Sequence, residues 1–133
     1  MKLDFRGVTA IYGRPGTGKT SLAMRIAHGR IAEGQNVLWV SIYEDRETFF
    51  RNAAALGYNL SKAEFWDMIF VRPDIILNQI VSAASQGNYG LVVVDSISAL
   101  VENIQTREYL INAVYRVFKP SNIDLISIAE EES

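Results

Sequence analysis

Gly13-Arg14-Pro15-Gly16-Thr17-Gly18-Lys19-Thr20 follows the β-rich run Val8-Thr9-Ala10-Ile11-Tyr12 and precedes apolar residues at helical spacing: Leu22, Ala23, Ile26, Ala27 and Ile31. The stretch reads as strand, glycine-rich loop and helix, with Gly34 closing the helix. Glycines let main-chain N–H groups curl around phosphate oxygens, and a helix beginning there points its positive end at them. In the pattern Gly-x-x-x-x-Gly-Lys-Thr, Lys19 is expected to reach the β- and γ-phosphates and Thr20 to offer its hydroxyl to Mg²⁺. Ser21 is expected to touch the α-phosphate by hydroxyl or N–H. Gly13, Arg14, Pro15, Gly16, Thr17, Gly18, Lys19, Thr20 and Ser21 thus form the expected nucleotide-binding loop. The bland alternative is an idle turn, but the four fixed positions coincide by chance in roughly one chain of this length in a few hundred.

Outward from the loop, short apolar runs alternate with amphipathic stretches, which predicts an α/β fold. Asn36 to Ile42 is a second strand; a helix starts near Asp45, with Phe49, Ala53 and Leu56 on its inner face and Gly57 as its cap. Ser61-Lys62-Ala63-Glu64 fits a capping box for a short helical turn, and Met68-Ile69-Phe70-Val71 is expected to add a brief strand before Pro73. Asp74 is expected to cap a helix carrying Ile76, Leu77, Ile80, Val81 and Ala84 that ends near Gly87. The run Leu91-Val92-Val93-Val94 predicts a strand buried on both faces. Thr106 opens the last helix, with Leu110, Ala113, Val114 and Val117 inward, and Pro120 stops it before the strand Asp124 to Ile128.

The buried strand ends in Asp95, a carboxylate placed to hold Mg²⁺ through water opposite the Thr20 hydroxyl; the simpler role is capping the turn Ser96-Ile97-Ser98. Ser96 follows it, so the water-activating base must come from elsewhere. Glu44 and Asp45 stand just past the second strand, and in a parallel sheet that end shares an edge with the phosphate loop. Glu44 is the expected base and Asp45, also suited to an N-cap, the second candidate; otherwise Glu44 is a solvated loop residue and neither serves. Adenine is favoured over guanine, because no Asn-Lys-x-Asp occurs late in the chain and no glycine stands three residues after Asp95. Residues 101 to 119 carry only Arg107 and Arg116, too few for the lid of a small-molecule kinase.

At 133 residues the chain is expected to be one domain, 1–133, and its 49% hydrophobic and 21% charged content is that of a globular protein. It has no cysteine for a disulfide or thiolate metal site. No apolar run approaches the roughly 20 residues a bilayer needs, so no membrane association and a cytoplasmic location are expected. Residues 1 to 60 carry 8 Lys/Arg against 5 Asp/Glu, and 61 to 133 carry 5 against 10. A net charge of -2 without a basic cluster argues against direct nucleic-acid binding. His28, alone on the far side of the first helix, reads as a surface residue, and Trp39, Trp66, Phe49, Phe65 and Phe118 read as packing.

Taken together, the loop at 13 to 20, Val-Ser-Ile-Tyr-Glu-Asp at 40 to 45 and Val-Val-Val-Asp-Ser-Ile-Ser-Ala-Leu at 92 to 100 resemble RecA-like ATPases. KaiC-like and RadA/RadB-like archaeal proteins are the nearest in appearance. Phe49 to Leu60 is similar to the KaiC-like stretch that follows the paired glutamates of that family. The resemblance implies a RecA-like three-layer sandwich with a mostly parallel sheet, in which the last strand lies between the two motif strands and leaves residues 5 to 12 at an edge. It implies ATP as ligand with Mg²⁺, ADP as product, Glu44 and Lys19 as catalytic residues, Thr20 and Asp95 as metal ligands, and Glu130 as γ-phosphate sensor. Rings or filaments of the family complete each site with a neighbour's Lys or Arg, usually from a segment beyond a core of this length. Slow ATP hydrolysis, raised by a homo-oligomer or a RecA-like protein partner, is therefore expected. The alternative is an ATP-controlled binding module that regulates such a partner with little hydrolysis of its own.

Overall fold

A computed structural model of the chain describes residues 6–14 and 16–130. The expectations for Phe5, Pro15 and the tail from Glu131 onward lie outside the described residues. The alternating pattern folds into strands β1 (Val8–Gly13), β2 (Val37–Ser41), β3 (Glu64–Asp67), β4 (Leu91–Asp95) and β5 (Asp124–Glu130). Between them run helices α1 (Lys19–Ala32), α2 (Arg46–Ala55), α3 (Pro73–Ser85) and α4 (Ile104–Ala113), the last continued by a π-helical turn at Val114–Phe118. Every strand pair is parallel, in the order β1-β5-β4-β2-β3. The last strand thus separates the two motif strands, with Leu125 opposite both Val8 and Val92, and β1 is an edge. Because the strands are parallel, Gly13, Ser41, Asp67, Asp95 and Glu130 finish together at one end of the sheet.

Side chains alternate across each strand and build two apolar layers. Trp39, Val93 and Ile126 face Ala23, Ile26 and Phe49 on one side of the sheet. Leu38, Val40, Val92 and Leu125 face Ile76, Leu77, Ile80 and Phe118 on the other. β2 and the apolar part of β4 are buried throughout, as the uninterrupted run requires. The result is a three-layer α/β sandwich. At the end of the sheet away from the loop, buried Arg30 of α1 pairs with Asp124 of β5 at 2.8 Å and donates to Gln35 Oε1. The Gly7 N–H donates to the same aspartate, tying the lead-in to β1 into the network.

Several local expectations are corrected. Residues 61–64 form no capped helix: the Ser61 hydroxyl donates to Asn59 Oδ1, and Glu64 begins β3. That strand lies four residues before the expected Met68 to Val71, because the open side of β2 takes Phe65 and Trp66 into register with Trp39 and Val40. Phe65 is buried against Phe49, with ring centroids 4.7 Å apart, whereas Phe70 is fully exposed. Asp74 lies inside the first turn of α3. Pro73 takes the first helical position, where a missing N–H costs nothing, and extended Arg72 precedes it and pairs with Asp74. Asn103, whose side chain accepts the Thr106 N–H at 2.8 Å, caps α4, which begins at Ile104, two residues before the expected start. Leu56, expected inside, is half exposed beyond the end of α2.

Candidate active site

The loop leaves the end of edge strand β1 at Gly13, where a Cβ would stand 2.6 Å from Thr17 Oγ1 and displace that hydroxyl from the Arg14 carbonyl. Gly16 and Gly18 lie at φ +83° and +84°, and Gly18 turns the chain directly into α1. Three donors converge on one carbonyl, that of Arg14: the Thr17 N–H at 3.3 Å, the Thr17 hydroxyl at 2.7 Å and the buried Lys19 ammonium at 2.8 Å. Ser21 is half-buried in the first turn of α1.

Thr20 crosses to the end of β4, where its hydroxyl donates to Asp95 Oδ2 at 2.9 Å. Burial pushes the Asp95 carboxyl above its ordinary range, and nearby Glu44 and Glu130 push the same way; the Thr20 hydrogen bond and Lys19 oppose them. The Tyr43 hydroxyl is raised by desolvation and by Glu130, Asp95 and Glu102. Asp95 and Glu130 end the adjacent parallel strands β4 and β5, and Glu44 follows β2 on the other side of β4, so the three carboxylates stand at one end of the sheet.

Of the two acidic residues after β2, Asp45 caps α2. The Thr48 N–H donates to its Oδ1 at 2.8 Å and holds its carboxyl below the usual range. Glu44 instead lines a cavity of about 300 Å³ with Thr20, Ser21, Met24 and Asn52. Asn52 of α2 donates to Glu44 Oε2 at 3.4 Å. Larger hollows of about 420 and 520 Å³, beside Tyr58 and beside Arg6, lie away from the phosphate loop. Glu130 ends β5 opposite Gly13, exposed, with its N–H donating to Ser98 Oγ.

His28 is half-buried, its Nδ1 accepting the Asn59 N–H at 3.2 Å, which ties α1 to the segment before β3. Trp39, Phe49, Phe65 and Phe118 are buried, as packing residues should be. Sequence reasoning missed Ser41 and Asn52. A serine three residues before a turn carboxylate is a local signal that could have flagged Ser41.

An all-parallel sheet with the last strand β5 between β1 and β4, ending in a glycine loop and an apposed Thr–Asp pair, defines a RecA-like P-loop ATPase domain. The family description "ATPase: KaiC" matches residues 4–75, more than half of the chain, and the chain belongs to that family. It is also 30% identical over 93 residues, 70% of its length, to the DNA repair protein RadA of Campylobacter jejuni, and spans 20% of that protein. Among the described residues, no helix is long and apolar enough to cross a membrane.

Proposed function

We propose that residues 1–133 act as one domain that binds Mg·ATP and hydrolyses it slowly, and that a neighbouring chain accelerates the reaction. The observation that carries this reading is the Thr20 hydroxyl seated on Asp95 beside the cavity that Glu44 lines. A hydroxyl and one carboxylate suit Mg²⁺, which takes few protein ligands and completes its shell with phosphate oxygens and water. A buried carboxylate further burdened by two others also favours a cation. Thr20 and Asp95 would hold Mg²⁺, which when bound supplies charge neutralisation at the phosphates.

Lys19 and the Thr17 N–H already point at one oxygen, the Arg14 carbonyl, and exchange it for phosphate oxygens when nucleotide enters. Gly13 to Ser21 form the binding loop, closed on the acidic side by the Glu44 cavity. Water attacks the γ-phosphorus in line, Glu44 takes its proton, and the bond to ADP breaks, giving ADP and phosphate. Glu130, in register with Gly13, senses the γ-phosphate. Asp95, Glu44, Glu130 and Glu102 leave the mouth rich in negative charge, which suits a Lys or Arg from a second copy or a RecA-like partner. Without such a finger, turnover is expected to be about 10³ to 10⁵ lower.

The second reading, an ATP-controlled binding module, draws on the open edge of β1, where Val8 and Tyr12 are exposed. Phosphate release from Mg·ATP, measured across protein concentration beside Glu44→Gln, separates the two. Hydrolysis predicts activity per molecule that rises with concentration and falls at least about 100-fold in Glu44→Gln. Nucleotide binding with no release at any concentration favours the module. Equal turnover in Glu44→Gln removes Glu44 as base.

A further inference from the structure

Glu44 stands on a turn, where a side chain has more freedom than on a strand, yet a general base must be held close to its water. Two residues outside the phosphate motifs supply that hold. Ser41 closes β2 and is 3% exposed. Its main chain is fixed from both sides: the Met68 N–H donates to its carbonyl at 2.8 Å, and it stands in register with Asp95. The next residue, Ile42, donates its N–H to the Asp95 carbonyl at 2.8 Å.

From this fixed point the Ser41 hydroxyl turns entirely to Glu44. It accepts the Glu44 N–H at 3.0 Å and donates to the Glu44 carbonyl at 2.7 Å. One buried hydroxyl thereby serves as donor and acceptor to the same residue, and sets the main chain of Glu44 relative to the end of the Asp95 strand. At the tip of the side chain, Asn52 donates to Oε2. A carboxylate held through one oxygen keeps lone pairs on the other for a proton.

We propose that Ser41 is a positioning residue for Glu44 in hydrolysis, with Asn52 steadying the carboxylate. This rests on Glu44 being the base. A serine that only closed the turn would affect stability alone. As a positioning residue it affects the chemical step while leaving nucleotide affinity intact, because Glu44 acts on water and not on the bound phosphates.

The test is single-turnover phosphate release by the full chain with Mg·ATP, with ATP affinity read by calorimetry. It compares wild type, Ser41→Ala, Ser41→Thr, Glu44→Gln and the double variant Ser41→Ala/Glu44→Gln. Ser41→Ala is expected to slow release about ten- to hundredfold, the scale of a misplacement near 1 Å, with affinity unchanged. Ser41→Thr, which retains a hydroxyl, should recover most of the rate. In the Glu44→Gln background the Ser41 change should have no further effect, since the group it places is gone. If Ser41→Ala does not fold, Ser41→Cys preserves the packing with a weak donor and acceptor, and Asn52→Ala offers the same cycle on an exposed helix position. An undiminished rate in the Ser41 variant, or an equal loss in both backgrounds, overturns the positioning role while leaving Glu44 as base. A wild-type chain without turnover, or Glu44→Gln turning over normally, overturns both.

Discussion

Lys19 is buried with its ammonium on the Arg14 carbonyl, an oxygen that phosphate would replace in the proposed binding of nucleotide. A charge-assisted contact to phosphate is worth about 1.5 to 3 kcal/mol. Lys19→Ala is therefore expected to weaken Mg·ATP binding at least tenfold by calorimetry, and equal affinity would remove the loop as the phosphate site. At this scale the sequence was most informative where chemistry dictates spacing. The spacing predicts a glycine turn into a helix and a carboxylate facing Thr20, and Gly16 and Gly18 take positive φ while Asp95 stands where the Thr20 hydroxyl meets it. Glu44 is the expected base ahead of Asp45, whose competing role is an N-cap. What separates them is the turn itself, which commits Asp45 to Thr48 and leaves Glu44 beside the cavity. Ser41 and Asn52 were illegible for a related reason: a hydroxyl or amide gains meaning only when the fold brings a partner to it.

Among the elements, α2 carries a pH dependence that can be read from its cap. The Thr48 N–H stabilises the Asp45 carboxylate, so the folded protein releases this proton more readily than the unfolded chain. The stabilisation is present above the unfolded pKa and disappears as pH falls through the lower folded value. Asp45→Asn keeps a side-chain acceptor without the titration. Its thermal midpoint is expected to stay close to wild type near neutrality but to fall less steeply on acidification, followed by circular dichroism down to about pH 3. Identical slopes would mean that the cap does not sense the charge. The periodic helix α1 and the uninterrupted apolar run of β4 were legible from sequence. β3 was not, because both 64–67 and 68–71 offer suitable residues. The open side of β2 and the Trp39–Phe49–Phe65 cluster choose between them, and neither exists until the sheet does. Asp74 was misassigned because Pro73 and extended Arg72 move the helix start upstream.

For the whole molecule, the sheet order was legible through the family resemblance and not from periodicity, which ranks strands by burial but does not order them. The network far from the active site holds that order together: Asp124 joins β5, the Arg30 side chain of α1 and the Gly7 N–H. Asp124→Ala removes the carboxylate that lies 2.8 Å from the buried Arg30 guanidinium and accepts the Gly7 N–H, and is expected to cost about 3 kcal/mol or more, read from urea unfolding. A loss below about 1 kcal/mol would show that other groups compensate. The pairing of β1 with β5 also governs how the protein comes into being. Among the described residues, 8–13 hydrogen-bond to residues 125–130 and to no earlier strand, so the strand that carries the phosphate loop gains its ladder partner only when β5 is synthesised. Loop closure across most of the chain must precede its docking, which slows folding. A nascent chain still lacking β5 is therefore expected to have no settled nucleotide loop, so ATP can reward only a chain whose last strand has already emerged.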